Sequence, residues 1–268
     1  MLNDELYGKL DTGWRTTCKI VLGQDIGELK DYEEWLLKNV PRPTIKNSII
    51  SGKNVLCYNK YPQVIDENEV EQLKNKIADN VEDATSVEDL ITKVKPLAVY
   101  VGNRSSGSIL NAELCDYYWD SRHIYYSTYI RDAKYVAYSY DSRNCENVYG
   151  VSEFSSGSFN ISTYACYVTP VCFESLYAIE SSNVMFSQNC ENLNHALFCF
   201  NVQSLSYAVG NVEVGKKRYE QVRKMLLEHV VNELVETKNL RMSILDPVSL
   251  SPSGFKLPGQ SGLSKGVV

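Results

Sequence analysis

Histidine is nearly absent from this 268-residue sequence: His123, His195 and His229 are the only three. A Ser-His-Asp triad needs one of them beside a nucleophile and a carboxylate, and no G-x-S-x-G setting exists to hold the nucleophile. Cys190, His195 and Cys199 do not have the spacing of a zinc knuckle, so no metal site is expected. Phosphate cradles are missing as well. There is no P-loop and no G-x-G-x-x-G, and Gly150, Gly157 and Gly210 stand alone. No run of eighteen apolar residues occurs, and MLNDELYGKL lacks the basic and apolar blocks of a signal peptide. The expectation is a chain made in the cytosol, with no membrane span, no cofactor and no enzymatic activity. Pairs such as Asp132 and Asp141 could flank a glycosidic bond, but nearly any acidic surface offers such pairs.

What is present is a repeat. Cut every twelve residues from Ile109 to Lys216, the sequence falls into nine rows without a gap, among them ILNAELCDYYWD, SRHIYYSTYIRD and SSNVMFSQNCEN. Column four reads Ala112, Ile124, Val136, Val148, Asn160, Cys172, Val184, Ala196 and Ala208. Column seven is equally small: Cys115, Ser127, Ser139, Val151, Thr163, Ser175, Ser187, Cys199 and Asn211. A fixed short period with small or apolar residues in register marks a solenoid in which each row is one coil. Columns one, four, seven and ten hold no charged residue, and all six repeat cysteines (Cys115, Cys145, Cys166, Cys172, Cys190 and Cys199) fall in them. No two of these share a column in adjacent coils, so they read as reduced, inward-facing small hydrophobes.

Charge follows the same division. Residues 109–216 carry five Lys or Arg against eleven Asp or Glu, so 5 − 11 = −6, the net charge of the whole chain. A negative stack repels phosphate backbones, which argues against nucleic-acid binding through the solenoid.

The expected fold is mainly β: a β-solenoid with a twelve-residue repeat and about nine coils, two-sided or three-sided, roughly 43 Å long at the usual strand spacing. Residues 1–101 are expected to form a separate α/β domain. Within it we expect a strand at Thr16–Leu22, a helix at Asp25–Val40, a hairpin at Asn47–Tyr58 and charged helices across Asp66–Val94. LAVYV returns to strand, and Gly102–Ser108 is a loop. Beyond the repeat, residues 217–238 form the strongest helix, with Tyr219, Val222, Leu226, Val230 and Leu234 on one stripe. It is expected to cap the last coil, whose bare strand edge needs cover. Residues 239–268, rich in Ser, Gly and Pro, read as an extended arm with Leu250, Phe255 and Leu257 as docking contacts.

Tyrosine is the unusual residue: 13 of the 19 copies lie in the repeat. Tyr117 stacks over Tyr129 in column nine and Tyr126 over Tyr138 in column six, and Phe186 and Phe198 continue column six further along. Such ladders stabilise β-stacks, and they also form an amphipathic face for a protein or sugar partner. In texture, NCENVYGV, SSNVMFSQNCEN and HALFCFNVQSLSYAVGNVEV resemble short-coil β-solenoids of tailed bacteriophages and some small-genome bacteria. The resemblance brings no catalytic residues. It implies a structural or assembly protein, incorporated into a virion and docking onto protein subunits, with homo-oligomers among the options. The alternatives are a carbohydrate-binding or carbohydrate-cleaving solenoid using the Tyr-rich face, and a cytosolic interaction module.

Overall fold

The computed structural model describes residues 4–40, 42–57, 61–77, 83–180 and 182–244; for 74–77, 132, 134–136, 138, 140–142, 148, 151–157 and 164–169 it describes the backbone alone. The protein is mainly β, built on a β-solenoid of about seven turns with helices at the N-terminus and near the C-terminus.

Helix α1 (Asp4–Val21) contains the segment expected to be a strand. The β-branched run TTCKIV is overridden by a stripe that begins upstream: Leu6, Leu10, Trp14, Cys18 and Val21 are all buried at helical spacing. Thr12 and Thr16 return their hydroxyls to the carbonyls of Gly8 and Thr12, which suits them to a helix. The helix expected over Asp25–Val40 shrinks to a 3₁₀ turn at Leu29–Tyr32 and a short α2 (Glu33–Leu36). Asp25 caps no helix; it accepts from the Gly27 amide and pairs with Arg15.

Strands β1 (Thr44–Asn47) and β2 (Asn54–Cys57) form an antiparallel hairpin, but its first strand lies ahead of the expected Asn47–Ile50, which mostly turns instead. Strand β3 (Val64–Asp66) leads through α3 (Val70–Ile77) and α4 (Val87–Val94) to β4 (Tyr100–Gly102), which pairs with β3 in parallel. Then the coils begin: β5 (Ser105–Ser106), β6 (Leu110–Glu113), β7 (Tyr118–Trp119), β8 (Arg122–Tyr125), the long extended run β9 (Thr128–Ile179), β10 (Ser182–Met185), β11 (Gln188–Glu191), β12 (Asn194–Leu197), β13 (Ser206–Val209) and β14 (Val212–Glu213).

The parallel register steps by twelve, as in Ala112↔Ile124↔Val136 and Cys172↔Val184↔Ala196↔Ala208, so column four is a continuous ladder of neighbours. The interior is what the columns predict. One buried cluster unites Cys115, Ile124, Ala133, Cys172, Cys190, Ala196 and others, all from columns one, four, seven and ten. The seven cysteines with described side chains are reduced and buried. Inward hydroxyls and thiols donate to the carbonyl two residues earlier: Ser127 to Tyr125 (2.7 Å), Ser187 to Met185 (3.0 Å), Cys190 to Gln188 (3.2 Å). That local bond satisfies a polar side chain inside the core.

The coil is four-sided, not two- or three-sided. From Asn183 to Ser204 every third residue is left-handed: Asn183, Phe186, Asn189, Asn192, His195, Phe198, Asn201 and Ser204 have φ of 50–60°. The same beat runs through Asn111, Leu114, Tyr117, Asp120, His123, Tyr126 and Tyr129. Two extended residues followed by one left-handed residue turn a corner, and four corners fit a twelve-residue row. Each corner costs about 1–2 kcal/mol for a residue with a Cβ, least for Asn. Stacking of like corners in successive coils offsets it. The Asn189 amide donates to Asn201 (2.8 Å), and the Phe186 and Phe198 rings stack at 5.1 Å.

One flank of the solenoid is covered. Column five (Ala137, Tyr149, Ile161, Phe173, Met185 and Leu197) is buried in one cluster with α1, residues 22–40 and helix α5 (Lys216–Thr237). The Tyr149 hydroxyl donates to the Leu10 carbonyl, and its ring meets Trp14 edge-on at 5.4 Å. Gly150 is left-handed, and a Cβ there would sit 2.7 Å from the Leu36 carbonyl, so glycine lets α2 rest on the backbone. Residues 6–40 therefore lie along the solenoid instead of standing apart from it.

Both coil edges are blunted by side chains. At the start, Asp116 accepts from the Arg104 amide, Asp120 from Ser108 and Glu67 from Ser105. At the far end the Asn211 amide pairs with both the N–H and C=O of Phe200, Glu213 accepts from the Ser206 amide, and β14 folds back antiparallel on β13. None of the described helices is long and apolar enough to cross a membrane.

Candidate functional site

The first corners present a cluster of rings and guanidinium groups. Tyr117 and Tyr129 occupy successive column-nine corners with their rings 4.7 Å apart, and Trp119 meets Tyr117 edge-on at 4.4 Å. The Arg104 guanidinium lies 4.5 Å over Tyr117, and Arg131 lies 5.6 Å over Trp119. Arg104 is held from behind by Asp116, a fully buried carboxylate that accepts Nη2 at 2.9 Å, Nε at 3.2 Å and the Tyr100 hydroxyl. Burial and the bond to Asp116 raise the Tyr100 phenol above its ordinary range, so it stays a donor. Beside these rings a cleft of about 100 Å³ is lined by Glu67, Arg104, Ser105, Ser106, Tyr117, Tyr118 and Trp119. The arrangement is a half-exposed aromatic surface. It suits stacking and hydrogen bonding, and Asp116, enclosed by its donors, has no open side for acid–base work.

Column six does not offer the same face. Phe186 is fully buried, Phe198 packs against the same cluster, and Tyr126 is half-buried with its hydroxyl near the Pro43 carbonyl. These rings are covered by the N-terminal segment and α5, which the repeat alone does not reveal. The side chain of Tyr138 and all of Leu250, Phe255 and Leu257 lie outside the described residues, as do the side chains of Asp132 and Asp141. Tyr117 and Tyr129 are thus the two expected face residues that the structure brings together in the open.

His195 turns outward at its corner, stacked on Tyr207 at 4.8 Å and bonded to Asn194, while the Cys190 and Cys199 thiols face the core. Burial, with Arg223 and Lys216 nearby, lowers its pKa, which favours the neutral ring. Burial raises both thiols, so neither is a ready nucleophile. Among the described residues no group of three or more His, Cys, Asp and Glu is placed to hold a metal ion.

Two features escaped the column reading. Arg104, Asp116, Trp119 and Arg131 complete the first-corner cluster, but Arg104 precedes the repeat, so no period connects it to Asp116. Glu174, a column-six corner, is fully buried beside Ser243. Ser243 donates to its Oε2 at 2.5 Å, while Oε1 finds no partner. Burial pushes its carboxyl up to about 7, opposed by bonds from Ser162 and Ser243 and by Lys38. Leu240, Ser243 and Ile244 are buried there too, which roots the C-terminal segment on the solenoid. No known protein family, curated protein or solved structure matches this chain.

Proposed function

We propose that this protein is a non-enzymatic assembly component, a stiff rod that docks onto protein subunits through its surface and a C-terminal arm. The rooting of residues 240–244 on the solenoid flank at Glu174 carries this reading. It supplies a fixed point for the docking arm that this reading assigns to the sequence after residue 244, with Leu250, Phe255 and Leu257 as its contacts. About seven turns at the usual strand spacing make a rod of roughly 34 Å. Helix α5 lies along its covered flank, where Tyr219 meets His195 and Tyr207 of the last rows. A tailed-phage virion is the setting that the repeat texture suggests, with synthesis in the cytosol. Deleting 245–268 should leave the melting curve unchanged and abolish incorporation into purified particles, read by mass spectrometry. Undiminished incorporation would sink the proposal.

The first-corner cluster favours a second reading, a glycan-binding surface. Tyr117, Trp119 and Tyr129 supply stacking faces, and Glu67, Ser105 and Ser106 supply polar groups at the cleft. A glycan array on the full chain, with Trp119→Ala beside it, separates the two: saccharide binding lost in Trp119→Ala supports this reading, and an array without signal removes it.

A further inference from the structure

Helix α4 is an amphipathic helix that buries nothing. Val87, Leu90, Ile91 and Val94 fall at i, i+3, i+4 and i+7, one apolar stripe, yet no residue of the helix is buried. Val87 is 66 % exposed, Ile91 57 % and Leu90 38 %, and Leu97 just beyond is 39 % exposed. Its ends are well made. Ser86 accepts from the Asp89 amide, Asp89 accepts from the Thr85 amide, and Lys93 pairs with Asp89 at 3.1 Å. Local bonds of this kind do not sustain eight residues alone, since helices under about 12–15 residues are marginal in water without a packed face. Beside the C-terminal end of the helix, an open, largely apolar groove of about 560 Å³ is lined by Tyr61, Pro62, Thr92, Lys95 and Pro96 among others.

We propose that this face is where a second copy of the chain docks, α4 against α4 in antiparallel across a two-fold axis. The charges select that partner. The segment SVEDLITKVKPL is acidic at its start (Glu88, Asp89) and basic at its end (Lys93, Lys95). An antiparallel pair therefore sets Glu88 against Lys95 of the partner subunit at both ends of the contact, and the two helix dipoles oppose each other favourably. A parallel pair would set like charges together. Alone, α4 is about 12 Å long and covers less than the ~800 Å² per partner of a standard interface. The adjoining Tyr61–Pro62–Pro96 surface extends it, and the expected dimer is a reversible one of micromolar affinity.

Sedimentation velocity on the full chain, between about 1 and 100 µM, tests this. The expected result is a monomer–dimer equilibrium that Ile91→Asp weakens at least tenfold and Glu88→Lys weakens several-fold. The charge-swapped double variant Glu88→Lys/Lys95→Glu restores it. Both charged positions are on the surface, so the swap remains informative if Ile91→Asp fails to fold. A monomer at every concentration overturns the proposal, as does a dimer indifferent to all three variants. So does a dimer lost on deleting 245–268 but unchanged by the α4 variants, because the occupant would then be the C-terminal segment.

Discussion

Glu174 is the residue whose chemistry is most displaced from the ordinary. Its carboxyl, normally near 4.5, is raised to about 7 by complete burial, and only part of its hydrogen-bonding capacity is met. Because the folded pKa lies above the unfolded one, the folded state binds the proton more tightly. The stabilisation is fully present below about pH 4.5 and is lost as pH rises through about 7. The swing is on the order of 3 kcal/mol. Denaturant unfolding of wild type and Glu174→Gln should therefore agree near pH 5 and diverge by pH 8, with the glutamine variant the more stable. Parallel stability profiles across that range would remove the argument. His123 and His195, whose pKa values burial lowers, bend the profile the other way in both proteins, so the difference between the two isolates Glu174. The corners show how far a residue-level signal reaches. Seven of the ten asparagines in 109–216 fall in columns three, nine and twelve. That enrichment coincides with left-handed backbone at three of the four corners. Aromatic corners such as Tyr117 and Phe186 hid the pattern, because bulky residues adopt that backbone only where stacking offsets the strain.

Among the elements, α5 stood out from its stripe and the coils from their period, since both bury a regular face. Helix α1 did not, because the β-branched Thr16–Val21 run speaks for strand until its contact with Tyr149 is known. Column five carries its own signal: eight of its nine residues, from Tyr125 to Val209, are apolar, which marks an outward face that must be covered. The coil ends are closed by single side chains that mimic strand backbone, which no periodicity announces. Replacing Asn211 and Glu213 together with Ala should cost about 2 kcal/mol, from lost bonds to Phe200 and Ser206. It also bares a strand edge, so concentration-dependent light scattering should appear alongside the lower denaturation midpoint. Loss of stability without self-association would mean that the far edge is protected by something else, α5 being the remaining element there.

At the scale of the molecule, the flanking helices convert a one-dimensional stack into a cooperative unit. Coils alone contact only their neighbours. The cluster from Leu6 through Phe173 to Leu234 bridges several coils at once, and Lys238 closes it by donating to the Tyr32 hydroxyl. Trp14, fully buried and in ring contact with both Tyr32 and Tyr149, sits at its middle. Trp14→Ala should cost about 3–5 kcal/mol. The far-UV signal of the solenoid should melt earlier in a single transition. A solenoid transition unmoved by that substitution would show the coils to be independent of the helices.

The sequence by itself determined the twelve-residue register, the inward columns, the reduced thiols and the long helix after the repeat, because each depends on a short-range rule applied row after row. Only the tertiary structure decided the four-sided coil, which flank is covered, how the edges are closed and where Arg104 meets Asp116. Those depend on contacts between segments far apart in the chain, such as Leu10 with Tyr149 or Ser243 with Glu174. A periodic sequence carries no signal for what its outer faces meet. Distant segments bury Phe186 in the core and pack against Tyr126 and Phe198.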